Sequence, residues 1–134
     1  MRLAALLLCL LGATACAERN PVTPSTGIGS RFTLTPGQSA VVTGTNIRLQ
    51  FVRVSSDSRC PTNVQCVWAG DAVIVVRATD GSASANYDLH TGDSRLTAAR
   101  HSDVLIELLQ LQPYPASGRS IDPSDYRATL QVRR

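Results

Sequence analysis

The sequence predicts an all-β domain, an antiparallel β-sandwich or partly open barrel of about seven strands. Three observations carry that prediction. Short runs of alternating apolar and polar residues recur from Arg31 onward, the period of a half-buried strand. Glycine and proline turn signals separate these runs about every eight to twelve residues. The composition, 43% hydrophobic against 17% charged, supplies apolar material for a core and is not that of a disordered chain. The length of 134 residues corresponds to one domain, and there is no internal repeat.

The strands follow in order. Arg31–Thr35 is stopped by Pro36-Gly37, and Ser39–Thr43 by Gly44. Asn46–Val54 alternates clearly, with Ile47, Leu49 and Phe51 on one face and Arg48 and Gln50 on the other. Asp71–Thr79 holds the continuous apolar stretch Ala72–Val76, which suits a strand buried on both faces. Asp80-Gly81 is a hairpin signal, with Ala83–His90 as the returning strand. Asp103–Gln112 fits a strand by Val104, Ile106 and Leu108, and a helix by Leu105, Leu108 and Leu109. Its strand neighbours favour strand. Tyr126–Val132 closes the domain, with Tyr126, Ala128, Leu130 and Val132 on one face.

The first residues read as an address. Met1-Arg2 supplies a positive charge, Leu3–Leu11 is apolar, and small residues precede a cut after Ala15, so residues 1–15 form a secretory signal. The uncharged stretch from Leu3 to Ala17 is shorter than the ~20 residues a helix needs to span a bilayer. Cys16 follows directly, and Ala13-Thr14-Ala15-Cys16 resembles a bacterial lipoprotein signal with Ala in place of the usual Leu. Plain cleavage would leave an unpaired thiol, so cysteine parity favours a lipid on Cys16. By analogy with lipoprotein sorting, Ala17 rather than Asp after that cysteine points to an outer membrane where the cell has one. Residues 16–30 are rich in Pro, Ser, Thr and Gly and read as a flexible linker ahead of the domain at 31–134.

Cys60 and Cys66 are then the remaining cysteines, six positions apart. In an exported chain a disulfide is the default. A redox pair would prefer Cys-x-x-Cys, and a zinc site would need His90 and His101 as further ligands at unsuitable spacing. No metal or cofactor is expected. The tied loop is also a candidate binding element. Arg59 and Trp68 are residue types enriched in interface hot spots, and Asn63 and Gln65 lie between the cysteines. Against this, a tryptophan beside a disulfide commonly packs over it in a core. Arg59 has two readings. In one it pairs with Asp57 or Asp71, or stacks on Trp68, and holds the loop base; in the other its guanidinium faces a partner.

Arg59-Cys60-Pro61, Cys66-Val67-Trp68-Ala69-Gly70, Pro113-Tyr114-Pro115 and Ser124-Asp125-Tyr126-Arg127 together resemble a group of small uncharacterised bacterial exported proteins and lipoproteins. That group shares an RCP…CVWAG block and a PYP…DY ending. The resemblance covers about residues 31–134 and implies export and a β fold; it implies no catalytic residue.

Other function classes find little support. All 13 basic residues are arginines, scattered except for Arg133-Arg134, so no basic stripe for nucleic acid forms. His90 and His101 have serines and aspartates nearby, but there is no Gly-x-Ser-x-Gly, and both histidines read most simply as surface residues. Glu18 and Glu107 make poor paired carboxylates, and Asp57, Asp71 and Asp93 are too far apart for a calcium loop. No catalytic residue is assigned. The expectation is a membrane-tethered extracytoplasmic lipoprotein with a structural or binding role, contacting the membrane through its lipid and an envelope protein by its domain. The alternative is a secreted inhibitor-like module that inserts the Cys60–Cys66 loop into an enzyme cleft. A buried loop with Trp68 inward would favour the scaffold, and a protruding Thr62–Gln65 the inhibitor.

Overall fold

The computed structural model describes residues 23–134. Its strands are β1 (Ser25–Thr26), β2 (Arg31–Leu34), β3 (Ser39–Val42), β4 (Ile47–Asp57), β5 (Ala72–Asp80), β6 (Ala83–His90), β7 (Ala98–His101), β8 (Val104–Gln112) and β9 (Arg127–Arg133). They form a five-stranded sheet, β1-β3-β4-β5-β6, and a four-stranded sheet, β2-β9-β8-β7. All pairs are antiparallel except β1 with β3. Neither sheet closes on itself. The sandwich, not the barrel, is the architecture.

Each sheet turns one face inward, as the alternation requires. Ile47, Leu49 and Phe51 of β4 are buried while Arg48 is exposed, and Ala128, Leu130 and Val132 of β9 face them across the core. Full burial of a side chain such as Phe51 or Leu130 contributes about 1.5–3 kcal/mol. Residues 104–112 are a strand because β7 and β9 hydrogen-bond them on both sides; a helix would leave both neighbours unpaired. A register shift between Leu108 and Gln110 then turns Leu109 outward and Leu111 inward.

Three expectations are corrected. The Ala72–Val76 stretch is buried on both faces only in part: Ala72, Ile74 and Val76 point into the core, and on the outer face Val75 is buried while Val73 is half-buried and Arg77 beyond is exposed. Two strands were missed, β1 and β7, because two and four residues are too short to display a period. The domain also begins before residue 31. Val41 N–H donates to Pro24 O at 3.0 Å and Thr43 N–H to Thr26 O at 2.8 Å. Thr26 is buried, and Gly29 N–H donates to Val132 O at 2.7 Å. The last residues of the expected linker are therefore part of the sheet edge. The signal segment, Cys16 and the rest of the linker lie outside the described residues.

The topology gathers three connections at one end of the sandwich. Asp57 pairs with Ala72, Val73 with His90, and Gln112 with Arg127. The chain between each of these pairs, or leaving His90 for β7, emerges there as residues 58–71, 91–97 and 113–126. Gly70 governs the first. Its φ is +71°, and a Cβ at this position would fall 1.9 Å from the Ser58 carbonyl oxygen. The strands at the loop base approach so closely because no side chain intervenes. Gly70→Ala is expected to lower stability by more than the ~1 kcal/mol of positive-φ strain alone, since backbone must move. Thermal unfolding of the variant checks this, and a midpoint equal to the parent would contradict the close approach.

Candidate functional site

The site is built outward from the end of β4. Two register shifts, between Phe51 and Arg53 and between Val54 and Ser56, change which residues face the core. The first turns Val54 inward in place of Arg53, and the second restores the inward direction at Asp57. An aspartate thus arrives inside the end of the sandwich, and the chain then turns back to bring Arg59 over it.

Arg59 is only 4% exposed. Its Nε donates to Asp57 Oδ1 at 2.8 Å and its Nη2 to Asp57 Oδ2 at 2.6 Å, a bidentate pair. Nη1 donates to Leu111 O at 2.7 Å and Nη2 also to Pro113 O at 2.8 Å. The Tyr114 ring lies 4.5 Å from the guanidinium carbon, and Tyr126 Oη donates to Asp57 Oδ2 at 3.0 Å. One side chain from the five-stranded sheet thereby satisfies the carbonyls where the opposite sheet ends. Burial pushes the Asp57 carboxyl upward, but the Arg59 hydrogen bonds and charge, with the Tyr126 hydroxyl, outweigh it and hold the group below the usual carboxylate range. Burial and the adjacent carboxylate push the Tyr126 phenol upward.

Of the two readings of Arg59, the one that pairs it with Asp57 is correct. It is not a free binding group, because the carbonyls of Leu111 and Pro113 need a donor once both are enclosed.

Above this network stands the tied loop. The Cys60–Cys66 disulfide spans Cα atoms 5.9 Å apart. Ser58 N–H donates to Asp71 O at 2.7 Å and Cys60 N–H to Ala69 O at 2.8 Å, continuing the β4–β5 pairing into the loop. Thr62 N–H donates to Pro115 O at 3.0 Å, and Ser117 N–H donates to Asn63 Oδ1 at 2.7 Å. Asn63 therefore latches the loop to residues 113–118, while Gln65 is exposed. Trp68 overturns the core expectation: it is 82% exposed, and Val67 is 90% exposed. The end of the core is closed instead by buried Arg59 and Tyr126, with the partly exposed Tyr114 ring against the guanidinium. Val64, Leu96 and Tyr114 on neighbouring connections are exposed as well. A cavity of about 200 Å³ opens beside them, lined by Arg59, Thr91, Thr97, Leu109 and Tyr114 among others.

The histidines are not simple surface groups. His90 Nδ1 lies 2.6 Å from Asp71 Oδ2, and Asp71 Oδ1 accepts from Thr91 N–H at 3.0 Å and Gly92 N–H at 2.7 Å. Burial raises the Asp71 carboxyl, and the Gly92 amide and His90 outweigh it to hold it low. This carboxylate staples the 91–92 turn to the start of β5. Among the described residues the His90 ring bonds no hydroxyl, so the pair lacks the nucleophile of a Ser-His-Asp arrangement. His101 is buried at the end of β7, with Nδ1 2.9 Å from Tyr87 Oη and the two rings edge to face. Among the described residues no group of three or more metal-ligating side chains forms.

Comparison with protein-family models, with curated proteins and with solved structures finds no match.

Breaking the buried pair should cost about 3–5 kcal/mol, as for other enclosed ion pairs that lose one partner. Arg59→Met, measured by chemical denaturation, is expected to fall in that range; a loss under about 1 kcal/mol would place the pair in the class of exposed bridges. The Asp57 carboxyl also sets a pH dependence. Because its folded value is depressed, its contribution is complete above the ordinary carboxylate range and is lost as pH falls through it toward the folded value. The stability gap between the parent and Asp57→Asn should therefore narrow below about pH 4. A gap that stays constant down to pH 2 would contradict the assignment.

Proposed function

We propose that this chain is a membrane-tethered extracytoplasmic binding module, and that the latched loop Cys60–Gly70 is its recognition element. The observation that carries this reading is the exposure of Val67 and Trp68 on a loop held at four points. A disulfide, the strand-like base, the Thr62–Pro115 bond and the Asn63–Ser117 bond all restrain it. Restraint lowers the ordering cost of binding, and a large apolar side chain kept outside the core is available as an anchor. A scaffold role alone gives no reason to leave the one tryptophan of the chain in water.

The tether supports the reading from the other end of the chain. The charged start, apolar run and Ala13-Thr14-Ala15-Cys16 would direct export and lipid attachment, and a disulfide is compatible with an extracytoplasmic setting. The inhibitor-like alternative is favoured by one observation, the exposure of Thr62–Gln65 at the loop tip. It differs from the first reading in partner rather than in the element used. Catalysis forms no part of either reading.

Two measurements test the proposal. Mass analysis of the mature N-terminus is expected to find Cys16 carrying a diacylglycerol group; an unmodified Ala15, Cys16 or Ala17 terminus on soluble protein would overturn the tether. A photoreactive residue in place of Val67 is expected to form envelope adducts in cells, and one in place of Ser82, on the exposed β5–β6 turn, is not. Equal labelling from both positions, or none from either, would remove the loop as recognition element.

A further inference from the structure

Resting on the reading of the loop as the recognition element, we infer that its partner is a lipid surface, with Val67 and Trp68 seated in the interfacial layer of the bilayer that holds residue 16. The chemistry of the tip is the first reason. No charged side chain occurs from Cys60 to Gly70, or from Pro113 to Gly118 on the connection latched to it. Val64, Val67, Trp68 and Tyr114 are the exposed large side chains of these two segments. Tryptophan and tyrosine favour the headgroup level, where a ring can be apolar on one side and wet on the other. Thr62, Asn63 and Gln65 are the exposed polar side chains beside them, and none is charged.

The second reason is that several polar groups at the loop base and in its outer turn are bonded internally, although the amides of Val67 and Trp68 are not among them. The amides of Cys60, Thr62 and Val64 donate to Ala69, Pro115 and Pro61, and the Asn63 side chain accepts from Ser117. Each internal bond removes a group that would otherwise resist leaving water. Behind the tip a recess beside Tyr114 is lined by both Arg119 and Asp125, so the charges nearest the tip lie behind it and are of both signs.

The third reason is the direction from which the chain enters. β1 runs parallel to β3, and β3 runs opposite to β4, whose far end carries the loop. Pro24 therefore enters β1 from the side of the tip. Eight residues lie between Cys16 and Ser25, a fully extended reach of about 30 Å over nine Cα steps. Ser25 lies beside Val41, which pairs with Arg48, and nine residues of β4 lead from Arg48 to Asp57. A lipid on Cys16 and the loop base can thus face one membrane. The tether would place the tip at the surface, and the tip would add a second point of contact. A diacylglycerol on Cys16 would already anchor the chain stably, so the tip would set how the domain lies on the surface rather than whether it stays there.

The chain's single tryptophan makes the test direct. The processed chain carrying Cys16→Ser, and so no lipid, is mixed with vesicles of phosphatidylethanolamine and phosphatidylglycerol. The expected result is a blue shift of Trp68 emission and its quenching by brominated acyl chains. Val67→Asp should weaken partitioning by about tenfold or more, while Ser82→Asp leaves it unchanged. Far-ultraviolet dichroism shows that both variants remain folded. Emission unchanged by vesicles would overturn the inference, as would partitioning insensitive to Val67→Asp. If vesicles fail and the residue-67 probe labels a protein in cells, the lipid inference falls and the binding-module reading stands. If both fail, both readings fall.

Discussion

The buried guanidinium of Arg59 is the constraint on which this end of the molecule depends. A sandwich of two sheets has open ends, and the carbonyls of terminal residues there lose water without gaining strand partners. Arg59 resolves this by donating to Leu111 O and Pro113 O of one sheet while paired with Asp57 of the other. Such a charge is tolerated inside only if its partner is enclosed with it, and Asp57 is nearly as buried as Arg59. The two register shifts in β4 serve the same arrangement, because they let Val54 and Asp57 both face inward. Tyr114 over one face and Tyr126 on the carboxylate complete the enclosure.

With the end sealed from below, the exposed side chains of the loop above it take no part in the core. Its restraint comes from local bonds and from a disulfide worth roughly 2 kcal/mol for a loop of this length. That is smaller than the cost of breaking the Arg59–Asp57 pair. Under the proposed reading, stability and recognition fall to adjacent but different residues. Arg59, Asp57 and Tyr126 hold the end together, while Val67 and Trp68 are free to face outward.

The long strands were legible in the sequence because burial on one face imposes a period of two, and β4, β8 and β9 are long enough to show it. The hairpin at Asp80-Gly81 and the disulfide were legible from turn chemistry and cysteine parity. The short strands were not, since β1 is held by backbone bonds that any residue pair could make. Asp57 was legible as one of two possible partners for Arg59, but the bulges that aim it inward leave no mark on the alternation. Trp68 misled for a physical reason. The preference of tryptophan for cores is an average over domains, and here an arginine, two tyrosines and an aspartate already fill the place. The roles of Tyr114 and Tyr126 were visible only as fragments, a tyrosine between prolines and another after Ser124-Asp125.

If Arg59 is what joins the sandwich end to the loop base, the amides just above it report on that junction. Residue-resolved hydrogen exchange of the parent and Arg59→Met measures it most directly. The account predicts that the amides of Cys60 and Thr62, bonded to Ala69 and Pro115, are protected in the parent and lose protection in the variant. The β5 and β9 amides should stay protected in both. Unchanged protection at Cys60 and Thr62 in a folded Arg59→Met chain would contradict the claim that the buried guanidinium organises this end of the protein.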